Sequence, residues 1–510
     1  MISTGLIYAL VLIFGFIGVI VVLERLDLLE RVGMEQSGPF LMWKTKKGRD
    51  LIERIAQKKR FWEIYGSVGI VIVAIAMIVI FVMVAFNAYV ATQIPAEQAP
   101  QADEILVIPG INPFIPVGYG ILSLAVGIIV HEFSHGILSR VADVDIKSLG
   151  LIFIVVPLGA FVEPDEEQLE KTERIKRDRM FAAGATSNIV LAIVLVLIFS
   201  MVFMGSVSPR EEGPMITGIG ENSPAEEKGI GTYEQIIRIG DEEIRSLSDL
   251  HSMDIDPMEE VEVRTLKGEE ERSYEEVPTG LVITALLEGH PADDAGMVRG
   301  DIIYSIEGEV IRNREDFTSI LGEMDEDETF AITFYTKEDS DYVQREVELT
   351  LEEGRMGINF GYLGLAVQEA DWIIQLLSRP LSSAETGTEM IQNAAGYISL
   401  PLLGLSPLPE EIAEQYQVTG PLSVLPTGSF WVIANSLYWI FWLNILLGLF
   451  NALPAVPLDG GHLFKDAVES FSEKVGLDKE AGEKLSSGLT YALALLVLFL
   501  LMWSMIGPRV

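Results

Sequence analysis

The chain of 510 residues carries 36 basic and 74 acidic side chains, a formal charge of −38, and 49% of its residues are hydrophobic. That apolar share is too high for one ordinary soluble enzyme, so membrane-embedded segments must alternate with soluble ones; the acidic balance excludes an electrostatic nucleic-acid binder, and no nucleic-acid partner is expected. With no cysteine there is no disulfide framework, iron–sulfur cluster or thiolate chemistry, and any metal site must draw on His, Asp or Glu.

A spanning helix needs about 20 mostly apolar residues. Thr4 to Leu23, Gly66 to Val90, Phe181 to Met204 and Phe430 to Leu453 meet that length, and Tyr491 to Ile506 reaches it with the small polar residues before it. Gly118 to Leu138 qualifies despite His131, Glu132 and His135 inside it. The pattern predicts a polytopic α-helical membrane protein with about six transmembrane helices. Leu149 to Val162 is too short to cross and contains Pro157 and Gly159, which predicts a re-entrant hairpin buried among helices. Lys and Arg number ten in Glu24 to Trp62, five in Glu163 to Met180 and four in Leu463 to Leu485, but none in Ala91 to Pro116. Because cytoplasmic loops collect these residues, the first three face the cytoplasm and residues 206–427 lie outside. Thr4 to Leu23 lacks a basic leader and a small-residue cleavage site, and reads as a retained helix.

Between residues 206 and 360 there are 40 acidic and 13 basic residues, a local net of −27. Such a coat keeps a domain soluble, and the expectation is a halophilic source, where salt screens its self-repulsion. The same segment contains a repeat. Ser223-Pro-Ala-Glu-Glu-Lys-Gly-Ile230 and then Ile236 to Ile244 recur as His290-Pro-Ala-Asp-Asp-Ala-Gly-Met297 and then Asp301 to Ile311. Pro-Ala opening a short helix, then a β-rich run turning at Gly240 or Gly308, resembles the PDZ domain of bacterial and archaeal proteases. That resemblance implies two inserted β-rich PDZ-like domains that capture a peptide or ectodomain as an added strand; a β-rich spacer without ligand is the alternative.

His131-Glu132-Phe133-Ser134-His135 lies inside an apolar helix. At spacing i, i+4 both imidazoles project from one face and can bind one Zn²⁺, with Glu132 beside them to accept a proton from bound water. Ionisable groups at membrane depth cost several kcal/mol unless paired or metal-bound, which marks the cluster as functional. Catalytic zinc takes three protein ligands, so a third comes from elsewhere. His251 and His290 fall in the outside modules. His462 is near the membrane, but Asp459 precedes it after Asn451-Ala-Leu-Pro-Ala-Val-Pro-Leu, where Pro454 and Pro457 break the helix and Gly460 and Gly461 let the backbone bend.

H-E-x-x-H in one span, N-x-x-P-x-x-x-L-D-G in a later one and PDZ-like modules between them resemble the site-2 protease family of intramembrane zinc metalloproteases, over residues 117–470. The resemblance implies that His131, His135 and Asp459 bind zinc, that Glu132 is the general base, and that Asn451 holds the scissile peptide or its oxyanion. Gly184-Ala-Thr-Ser-Asn188 matches the family's G-x-x-x-N segment, and the hairpin around Gly159 is similar to its membrane-associated β-region, so Gly184, Asn188 and Gly159 are expected at the substrate. The expected organisation is 1–90, two transmembrane helices with a basic cytoplasmic loop; 117–204, the first half of the protease core; 213–278 and 279–353, PDZ-like; 361–427, an extracytoplasmic linker or amphipathic region; and 428–506, the second half of the core. The expected activity is regulated intramembrane proteolysis of a membrane-protein substrate, single-pass by expectation, at a multi-pass cell-membrane enzyme whose active site lies toward the cytoplasmic side. The basic loop is expected to meet membrane lipid. A zinc transporter would have no need of Glu132 or peptide-binding modules, and a catalytically silent PDZ scaffold none of the ligands.

Overall fold

A computed structural model describes residues 4–509 except 27, 28, 30–33, 38, 39, 46, 47, 96–98, 100, 106, 155, 326, 327, 340, 353, 379–385 and 407. The chain forms two compact units, residues 1–199 with 431–510, and residues 200–430. The first contains α1 (Thr4–Arg25), β1 (Met34–Ser37), β2 (Phe40–Thr45), α2 (Lys59–Ala91), α3 (Val117–Val141), β3 (Ile146–Ile154), β4 (Val156–Pro164), α4 (Arg174–Leu197), all but the first turn of α5 (Thr427–Asn451), α6 (Asp459–Val475) and α7 (Lys479–Ile506). Among the described residues five helices are long and apolar enough to cross a membrane: α2, α3, α4 continued to Ser206, α5 and α7. The sixth expected span falls on α1, whose side chains before residue 15 lie outside the described residues.

Close helix packing rests on small residues. A Cβ on Gly66 would sit 2.8 Å from Arg179 Cβ and one on Gly69 2.7 Å from Thr186 Oγ1, so α2 and α4 approach where α2 has no side chain. The Tyr65 and Ser187 hydroxyls share a hydrogen bond of 2.7 Å across the same seam. The expected hairpin is an antiparallel pair, β3 with β4, aligning Leu149 with Val162 and Ile152 with Gly159. Contrary to expectation it is not enclosed by helices alone, because β2 from the basic loop pairs with β3 and sets Leu41 opposite Phe153 and Trp43 opposite Leu151. The sheet order is β1-β2-β3-β4, which leaves β3 inside and β4 at an edge.

The second unit holds two sheets of one design. The first comprises β5 (Met215–Ile219), β6 (Gln235–Ile239), β7 (Glu260–Lys267) and β8 (Glu270–Pro278), and the second β9 (Leu281–Leu286), β10 (Ile302–Ile306), β11 (Thr329–Glu338), β12 (Asp341–Thr350) and β13 (Ile358–Tyr362). β14 (Leu365–Gln368) then returns to the first sheet and pairs with β5. The orders β8-β7-β6-β5-β14 and β12-β11-β10-β9-β13 are the same path, as the sequence repeat requires. Both sheets run past the boundaries 278 and 353 read from sequence: the strands that complete them fall at 358–368, and the second module is inserted within the first. Ala225 and Ala292 of the repeated Pro-Ala pairs are fully buried in one continuous apolar core.

Candidate metal centre

The centre is built on α3, α4 and the start of α6. His131 and His135 lie one turn apart on α3, and their Nε2 atoms are 3.2 Å from each other. Asp459 opens α6, and its Oδ2 lies 3.3 Å from both nitrogens. These are the three groups able to hold a metal ion among the described residues. Tetrahedral zinc with bonds of about 2.0–2.1 Å separates its ligand atoms by about 3.3–3.4 Å, which matches this triangle. Asp459 Oδ2 is also buried without a hydrogen-bond donor, a costly position unless a cation meets it. The residues present fit zinc.

α4 supplies the backing. His135 Nδ1 is 2.8 Å from the Met180 carbonyl, which accepts its proton and leaves Nε2 free as a ligand. His131 Nδ1 is 3.3 Å from the amide nitrogen of Asn188, while Asn188 Oδ1 is buried without a partner. With Nε2 as ligand, Nδ1 carries the proton and needs an acceptor, so a half-turn of the Asn188 amide satisfies both groups. Gly184 lies between these contacts: a Cβ there would be 2.5 Å from Nε2 of both histidines, so only glycine lets α4 run beside the ligands.

The α6 start is fixed from two sides. Cβ atoms on Gly460 or Gly461 would strike the backbone of Ala452 to Val456, so these glycines serve close packing inside the first turn of α6, where the sequence suggested a bend. One and two heptads after Asp459, Asp466 and Glu473 extend the same stripe. Arg177 forks onto Asp466 with two bonds of 2.8 Å, and Arg174 onto Glu473 at 2.8 and 2.9 Å. α6 is thereby docked on α4 along a line that ends at Asp459.

Glu132 Oε2 accepts the Val162 backbone N–H of β4 at 3.0 Å, which links the acid beside the ligands to the edge strand. A Cβ on Gly159, on the same strand, would lie 3.4 Å from Ile128 on α3, an ordinary contact. Asn451, at the end of α5, donates to the Leu447 carbonyl at 2.9 Å. His462 stacks on Phe181 with centroids 4.8 Å apart and stands outside the ligand triangle. Sequence reading passed over Asn444, fully buried on α5 with Oδ1 lacking a donor and facing Gly127 of α3. An Asn in the middle of an apolar span was the available signal.

Residues 119–497 match the sequence profile of peptidase family M50. The chain belongs to that family. It is 23% identical over 482 residues to an uncharacterised protein of Methanocaldococcus jannaschii, covering 92% of this chain and 91% of the relative. It is also 27% identical over 221 residues to zinc metalloprotease RasP of Oceanobacillus iheyensis, covering 42% of this chain and 49% of that protein. Family M50, the site-2 protease family, is the one that the sequence motifs resemble, and membership fits a membrane-embedded zinc metalloprotease.

Proposed function

We propose that this M50 protein is an intramembrane zinc endopeptidase that hydrolyses peptide bonds in or near transmembrane segments of membrane proteins. The observation that carries the reading is the His131, His135 and Asp459 triangle, with both histidines on a helix long and apolar enough to span and Glu132 tied to an edge strand. When bound, zinc supplies Lewis acidity and lowers the pKa of its water from about 15.7 to near 7. Glu132 takes the proton of the attacking water and returns it to the departing amine. Met180 O and the Asn188 amide hold the imidazole rings, so little reorganisation accompanies reaction.

The substrate must be unwound, because helical carbonyls are already hydrogen-bonded. β4 offers an edge along which an extended peptide adds as a fifth strand, with Gly159 on that edge. Asn451 exchanges its bond to Leu447 for one to the peptide or its oxyanion. The repeated modules act as PDZ domains outside the cytoplasm. A cavity of about 330 Å³ lined by Leu250, His251, Arg314, Phe360 and Ala366 lies between their short helices and strands β13 and β14, where such a domain holds a peptide.

The test is Glu132→Gln in the full-length protein, with metal content and cleavage of a single-pass substrate measured on the same detergent sample. Zinc is expected to stay near one per chain while cleavage falls by about 10²–10⁴-fold or more. Cleavage at the wild-type rate removes Glu132 from the chemistry.

A further inference from the structure

The stretch from Met390 to Pro409 has no charged residue among its twenty, although it belongs to a unit otherwise crowded with carboxylates. It contains the end of a helix, Gly387–Ser399, and then a turn. Tyr397 is buried, and its hydroxyl lies 3.1 Å from Ser200 Oγ and 3.4 Å from the Leu377 carbonyl. Ser200 belongs to the spanning segment Arg174–Ser206. It stands four residues before Met204, where the apolar run ends, hence roughly 5–6 Å inside it at 1.5 Å per residue. The helix end carrying Tyr397 therefore reaches the depth of acyl chains.

The turn after Tyr397 suits that depth. The N–H groups of Leu402 and Leu403 donate to Ser399 O, that of Gly404 to Pro401 O and that of Leu405 to Leu400 O, while Pro401 has none to satisfy. With these donors paired internally, the turn has few backbone N–H groups left to lose water when it meets the leaflet. Leu402 and Leu403 at its tip are 54% and 65% exposed, with no polar side chain beside them in sequence. Val424, 83% exposed, sits three residues before α5 begins, and Thr419 N–H bonds the Ser206 carbonyl at 2.7 Å, where the other spanning segment ends. Apolar residues are thus presented beside both points at which the chain leaves the membrane.

We propose that residues 397–405 form a monolayer-inserted anchor, with Leu402 and Leu403 in the acyl region of the leaflet on the side of the modules. A lipid leaflet is the occupant because the turn hangs on a spanning helix at acyl depth and lacks charge. Its effect is to pin the unit bearing the modules to the bilayer surface by a contact other than the two chain connections.

The absence of native cysteine makes the test direct. Single cysteines replace Leu402, Leu403, Met201 and Glu346 in turn in the full chain. Each variant is nitroxide-labelled and reconstituted in phosphatidylcholine vesicles, and collision with oxygen is compared with collision with a water-soluble nickel chelate. Met201, 71% exposed on the spanning segment, provides the lipid reference, and exposed Glu346 on β12 the aqueous one. Labels at 402 and 403 should shift toward oxygen and group with 201. A nickel-accessible signal like that at 346, or protection from both reagents as under a second protein surface, overturns the anchor.

Discussion

Gly184 is the residue with the least freedom in the centre. Gly184→Ala would put a methyl 2.5 Å from Nε2 of both histidines, closer than any real contact, so the ligands or α4 must move. Zinc content should collapse while helical circular dichroism is retained; full zinc occupancy in this variant would show that α4 can retreat. Asn188→Ala removes the partner of His131 Nδ1 and leaves all three ligands in place. A loss of zinc affinity of about 10–100-fold in chelator competition is expected, and unchanged affinity would make Asn188 a packing residue. At this scale the sequence was legible where spacing is local: two histidines four apart on a helix need one face and one ion. Nothing local tells which way the Asn188 amide turns or that Met180 lends its carbonyl, because both depend on how α4 lies against α3.

Among elements, the docking of α6 is the more demanding contact. Asp466→Asn replaces a buried carboxylate and leaves the half-buried Arg177 charged and half-paired, a cost between the roughly 1 kcal/mol of an exposed pair and the about 3–5 kcal/mol of a fully buried one broken outright. Glu473→Gln affects an exposed pair, worth at most about 1 kcal/mol. The expected result is a clear fall in melting temperature and zinc content for Asp466→Asn and little change for Glu473→Gln; equal effects would mean that the stripe does not position Asp459. Apolar spans were readable from length alone, whereas β2 was not. Its six residues sit in a charged loop, and their pairing with β3 is made across more than a hundred positions of chain, beyond the reach of any periodicity.

For the whole molecule, the repeat announced two modules but not their nesting. The Gly-rich run after residue 353 shows no alternation long enough to read as strands, yet β14 aligns Leu365 with Ile219. Leu363 N–H bonds the Gly280 carbonyl at 3.0 Å, so the second module leaves the first where it enters. Deleting residues 281–362 should then preserve a protease-resistant first module, whereas deleting 279–368 removes β14 and should expose it. Equal digestion of the two variants would show that β14 is dispensable.

Nesting also sets an order of assembly. A first sheet that waits for β14 must close a loop of more than a hundred residues, and the entropic cost of closure slows such pairing. All strands of the second sheet lie between residues 281 and 362, so that sheet can form as soon as its own chain is available, and in forming it carries Leu363 back to Gly280. The inserted module is thus a clasp for its host: its folding shortens the search that the host's last strand has to make, and during synthesis the part that emerges first is the part that finishes last.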